Sequence, residues 1–105
     1  MNTMVAEWRY DYGEGLDLTR LRERYSPPDR FRVSEYVYPS GTETTSSMLA
    51  GKCFVLAGTL VFEFPTFEVT VRQGEFADLP QGTHQLRVVG EQDAKLVFVW
   101  EIPTE

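Results

Sequence analysis

The chain has 105 residues, 42% of them hydrophobic and 13% aromatic, enough to close one core without staples and too apolar for a disordered segment. Its formal net charge of -6 disfavours nucleic acid or an anionic membrane as a partner, because like charges repel. The lone cysteine, Cys53, excludes an intrachain disulfide and suits a reducing compartment; with no apolar run near the ~20 residues of a membrane span and no signal-peptide h-region, the expected location is the cytoplasm.

In chain order, Val5 to Tyr12 has the aromatic content of a strand (Trp8, Tyr10, Tyr12) and ends in Gly13-Glu14-Gly15. The glycines there are explained by turn geometry, since no complete nucleotide motif follows. Asp17 is placed to cap a short helix through Leu18, Leu21 and Tyr25, which Ser26-Pro27-Pro28 stops. Arg20, Arg22, Arg24, Arg30 and Arg32 form a local basic run there. Acidic neighbours make it a solvated helix face and strand edge.

From Phe31 onward the pattern is β. Phe31 to Tyr38 reads as a strand ending at Pro39-Ser40-Gly41, and Phe54 to Leu56 and Leu60 to Phe64 as two strands hinged at Gly58. Phe67 to Arg72, Phe76 to Leu79, His84 to Val89 and Leu96 to Ile102 follow, separated by Pro65-Thr66, Gln73-Gly74 and Pro80-Gln81-Gly82. Short strands at near-regular spacing with Gly or Pro between them predict an all-β sandwich or barrel. The chain is expected to be one domain, with a strand-and-helix extension over 1–30 and the barrel over 31–102.

The segment Gly74-Glu75-Phe76-Ala77-Asp78-Leu79-Pro80-Gln81-Gly82-Thr83-His84 leads through a Pro-x-Gly turn to the sole histidine of the chain. Together with Phe54-Val55-Leu56-Ala57-Gly58-Thr59-Leu60, it resembles the two sequence motifs of the cupin family. The resemblance covers about Pro39 to Trp100 and implies a small single-domain cupin, a jelly-roll β-barrel or double-stranded β-helix, preceded here by a short helix. The fold hosts many activities and implies no particular one.

This sequence departs from the family pattern in two places. Only Thr83 separates the turn glycine from His84, where two residues are usual, so counting from the turn points to Gln85 and counting back from Val89-Gly90 points to His84. Strand alternation favours His84, which shares a face with Leu86 and Val88. The resemblance also implies two histidines and a glutamate as further metal ligands. The glutamate position falls near Gly51, and the histidine positions fall on Thr45 and Ser47, or on Thr44 and Ser46 in the alternative spacing. Hydroxyls and a glycine are poor ligands for a transition metal, so no metal and no other cofactor is expected. The remaining alternative is a nonstandard set of His84, Cys53 and a carboxylate such as Glu43.

Without a metal, the expected site is a polar cluster at the barrel mouth, Thr45, Ser47, Cys53 and His84, bordered by Tyr36 and Tyr38. Phe62, Phe64, Phe98 and Trp100 are available for its walls. The leading expectation is a small organic molecule bound in the barrel through Thr45, Ser47, Cys53, His84, Tyr38, Phe62 and Trp100. The alternative is a cofactor-free isomerase or cyclase in which His84 is the catalytic acid and base. A third class, a scaffold that forms a homodimer, draws on apolar alternation on both sides of Leu60 to Phe64 and Leu96 to Trp100.

Overall fold

The structure, a computed structural model, describes residues 5–7, 17–27 and 29–102. Within them β1 (Val5–Glu7) is followed by α1 (Leu18–Arg24), then β2 (Phe31–Tyr38), β3 (Glu43–Met48) and β4 (Gly51–Ala57). The chain continues through β5 (Thr59–Glu63), β6 (Glu68–Arg72), β7 (Glu75–Leu79), β8 (Gly82–Val89) and β9 (Ala94–Glu101). Trp8, Tyr10 and Tyr12 of the expected first strand, and Gly13-Glu14-Gly15 after it, lie outside the described residues. No helix among the described residues is long and apolar enough to cross a membrane.

The strands make two antiparallel sheets, ordered β1-β7-β4-β9-β2 and β3-β8-β5-β6. Side chains alternate in facing along a strand, so each sheet offers one set to the space between them. Cys53 and Val55 of β4, Leu60 and Phe62 of β5, and Leu86 and Val88 of β8 meet there in one buried cluster. The outer side of the five-stranded sheet is also covered. Val33, Phe54, Phe76, Val97 and Val99 are buried together with Leu21 of α1 in a second cluster.

Helix α1 is held at both ends as its sequence foretells. The Asp17 carboxylate accepts from the Arg20 backbone N–H at 2.9 Å, and the Tyr25 N–H donates to the Leu21 carbonyl at 2.9 Å. Arg22 and Arg24 stand in the last turn, where positive charge suits the helix dipole. The covered outer face also explains why β9 is apolar on both sides. Val97 and Val99 are buried within the chain, in the cluster that also holds Leu21 of α1, so these two side chains are not left bare for a second copy.

One strand has no counterpart in the apolar pattern. β3 reads Glu-Thr-Thr-Ser-Ser-Met and lies at an edge, paired only with β8, from Glu43↔Arg87 to Met48↔Gly82. An edge strand with one face in solvent needs little apolar alternation. A second correction concerns β4, which begins at Gly51 rather than Phe54.

Two edge strands frame the site. β2 closes one end of the five-stranded sheet and β3 one end of the other. They are joined by the turn around Pro39 to Thr42, in which the Thr42 N–H donates to the Pro39 carbonyl at 3.1 Å. That turn is fastened to the β8–β9 loop. The Ser40 N–H donates to Asp93 Oδ1 at 2.8 Å, and the Ser40 hydroxyl donates to the Gly90 carbonyl at 3.3 Å.

Candidate functional site

A cavity of about 300 Å³ lies between the sheets. Its exposed lining residues, Tyr36, Ser47 and Leu49, come from β2, β3 and the bend after β3 and form its mouth. Met48, Phe62, Leu86, Leu96, Phe98 and Trp100 supply the apolar lining, and Phe98 meets Trp100 edge to face at 5.4 Å. Tyr36, Tyr38, Ser46, Ser47, Cys53 and His84 supply the polar groups. None of the side chains that line the cavity is an aspartate, glutamate, lysine or arginine.

His84 is turned inward, as strand alternation requires. It is 3% exposed and sits against the rings of Phe62, at 5.5 Å, and Phe64, at 5.0 Å. Its Nδ1 has no hydrogen-bond partner. A buried polar atom left unpaired costs about 1–3 kcal/mol, so the packing around the ring carries that cost at Nδ1. Burial lowers its pKa below the ordinary value of 6.5, and a backbone hydrogen bond with Gly82 works against that shift without overcoming it. The ring is therefore neutral near pH 7.

The register of β3 against β8 corrects the hydroxyl assignment. Ser46 lies directly across the ladder from His84, and cross-strand partners point to the same side. Ser46 thus lines the cavity while Thr45 is exposed on the outer face and does not. Ser47 is bonded on that outer face to the Thr83 hydroxyl at 2.8 Å and reaches only the rim. The Thr44 and Ser46 spacing is the one in phase with His84. Motif counting alone could not choose it, because a shift of one residue inverts every side chain of a strand.

The other expected residues are brought together. Cys53 is 1% exposed and burial pushes its thiol pKa well up, which keeps it protonated and a poor nucleophile. Tyr38 stacks on Tyr36 at 6.2 Å. Its phenol is raised above 10.0, first by burial and then by Tyr36 and Cys53, whose ionisation would repel its own. Phe62 and Trp100 line the cavity, whereas Phe64 does not and stands against the imidazole. Leu86 lines the cavity on the face it shares with His84, whereas Met48, Leu49 and Leu96 are lining residues that the sequence reading does not name; the facing of β3 is the missing signal for Met48.

A metal of the kind the cupin resemblance implies does not fit these residues. A Cβ built on Gly51, the glutamate position, would lie 2.5 Å from the Val99 carbonyl oxygen and 3.0 Å from Trp100 Cβ, so no side chain can stand there without moving the sheet. The position opposite His84 carries a serine. Glu43 is exposed and in register with Arg87, away from the cavity, which leaves the set of His84, Cys53 and Glu43 unassembled. Among the described residues no three His, Cys, Asp or Glu side chains converge as a metal requires.

The lowered pKa of His84 has a thermodynamic consequence. The unfolded chain takes up the proton near pH ~6.5, before the folded one does, so this part of the stability is complete above that pH and is lost as pH falls toward the folded-state pKa. Between about pH 7.5 and about pH 5, urea midpoints are expected to drop more for the native protein than for His84→Phe. Equal drops would show that His84 does not titrate on unfolding.

No family model matches the sequence, and no curated protein is a significant match. Solved structures do match. The chain is similar to the cupin domain of Schizosaccharomyces pombe Cnp3, with a TM-score of 0.63 and 11% identity over 75% of this chain and 57% of that one. It is similar to a cupin superfamily protein from Desulfitobacterium hafniense, with a TM-score of 0.60 and 16% identity over 74% and 72%. A third match is a protein of unknown function from Rhizobium leguminosarum, with a TM-score of 0.60 and 26% identity over 69% of each chain. The chain has the cupin fold.

Proposed function

We propose that this cupin-fold protein binds a small organic molecule in the barrel without the help of a metal ion. The observation that carries the reading is the unpaired Nδ1 of His84, buried in a cavity of about 300 Å³. A mostly apolar hollow with a few convergent polar groups is the usual form of a ligand site. A ligand that bonds Nδ1 relieves the cost of leaving it bare.

A cofactor-free isomerisation or cyclisation draws on the same neutral imidazole as a proton acceptor. No carboxylate lines the cavity to steady an imidazolium, so a proton accepted there is poorly held. Binding is therefore the reading we favour.

The test is a thermal-shift screen of uncharged fragments against the native protein and a Ser46→Trp variant that fills the cavity. A compound at a hundred times its Kd adds about 2.7 kcal/mol, a shift of several degrees for a domain of this size. Stabilising compounds are expected for the native protein and not for the variant. No stabilising compound, or equal shifts in both proteins, would remove the barrel from consideration. Near-stoichiometric zinc, iron, manganese or nickel in protein purified without an affinity tag would overturn the metal-free part.

A further inference from the structure

Resting on that reading of the barrel, we propose that its ligand is uncharged and carries a hydroxyl group on a small aromatic or cyclic apolar body. The argument begins with where the charges are. Arg87 reaches Glu63 and Glu68 at 4.0 and 3.5 Å; Lys52 binds Asp78 at 2.6 Å, and Lys95 binds Glu35 at 3.6 Å. All of these residues lie outside the cavity lining. Arg32, across the ladder from Trp100, is exposed and is not part of that lining either. An ionic group carried into the hollow would lose its water and find no opposite charge there.

The titratable side chains inside the cavity agree with this. His84 is lowered, and Tyr38 and Cys53 are raised, each toward its uncharged form. The surroundings that disfavour charge on these residues disfavour it equally on a guest.

The hydrogen-bonding groups set the second requirement. The Nδ1 of a neutral imidazole is a donor in one tautomer and an acceptor in the other, and the hydroxyls of Ser46 and Tyr38 can do either. A group that both gives and accepts fits such surroundings in whichever arrangement the site adopts, and a hydroxyl is the smallest uncharged one. Ser46 stands directly across the ladder from His84, so one hydroxyl can be offered to both.

Size and shape set the third. About 300 Å³ stands at the small end of ligand pockets, which run from about 300 to about 1,000 Å³, and suits one or two rings. Phe62, Phe98 and Trp100 line the space, and aromatic pairs in offset or edge-to-face contact are favourable.

The experiment uses four probes of one shape: 4-ethylphenol, ethylbenzene, 4-ethylbenzoate and 4-ethylbenzylammonium. Each is titrated into the protein near pH 7.5 and followed by two-dimensional amide NMR. 4-Ethylphenol is expected to shift resonances of β3, β8 and β9 and to bind at least about tenfold more tightly than either ion. His84→Phe keeps an aromatic ring in place and is expected to bring 4-ethylphenol down to the affinity of ethylbenzene. Ser46→Ala, on an exposed edge strand, serves the same purpose with little risk to folding and is expected to weaken 4-ethylphenol alone. An ion that binds as tightly as the phenol, with shifts around His84, would overturn the ligand class and leave the barrel a binding site. Equal binding of the phenol and ethylbenzene would overturn the hydroxyl requirement. Failure of all four to bind would overturn both the class and the barrel reading beneath it.

Discussion

Phe54→Ala is expected to destabilise the protein by about 3–5 kcal/mol, the usual loss for emptying a buried aromatic position. Phe54 is 0% exposed. Its ring stacks on Phe76 at 5.0 Å and meets Tyr25 at 6.3 Å, on the face of β4 opposite Cys53. The truncation therefore hollows out the second cluster, in which Leu21 of α1 is buried. A domain of ordinary stability has about 5–15 kcal/mol in total, so a large share disappears through a residue that lies outside the barrel. Urea denaturation of the two proteins measures it. Because Phe54 does not line the cavity, ligand affinity of the folded variant should be unchanged. A loss below about 1 kcal/mol would mean that α1 and the sheet are not packed as described.

Gly58→Ala is expected to lose about 2–5 kcal/mol, for two separable reasons. Gly58 has a φ of +78°, and an L residue with a side chain in the left-handed region costs about 1–2 kcal/mol. Its Cβ would also lie 2.6 Å from the Asp93 carbonyl oxygen and 2.8 Å from Ala94 Cα. Both are backbone atoms that cannot rotate away, and relieving such a collision costs a further ~1–3 kcal/mol. Gly74→Ala separates the two effects. Gly74 has a φ of +92° but nothing within 4 Å of its Cβ position, so only the first cost applies. The gap between the two variants in chemical denaturation measures the close approach of the β4–β5 corner to β9. No gap would mean that the corner shifts freely.

Much of this architecture is legible in the sequence because one face of most strands is buried and the apolar residues record it. Phe31 to Tyr38 and the glycines at 58, 74 and 82 mark strand and turns, and alternation through His84, Leu86 and Val88 gives the facing of the histidine. β3 leaves no such record. Its six residues contain only Met48 as an apolar side chain, and its facing is set by pairing with β8, a long-range contact that local pattern does not encode. That is why Thr45 stood in the expected site and Ser46 only in the alternative. Apolar runs such as Phe54-Val55-Leu56 pose the opposite difficulty. They record burial on both faces, and whether the outer cover is a partner or the chain's own helix depends on where α1 docks.

The seam between β2 and β3 has a consequence for traffic through the barrel. The two strands share a turn pinned to Asp93 and Gly90, yet they belong to different sheets, so no ladder bond spans the gap between them. Prising apart any two paired strands sacrifices several backbone hydrogen bonds, each with a net worth of about 1 kcal/mol. Spreading β2 from β3 sacrifices none of them, and moves chiefly Tyr36 and Leu49, already 39% and 38% exposed. An approach to His84 along this seam breaks no ladder bond and needs only a local excursion far smaller than unfolding.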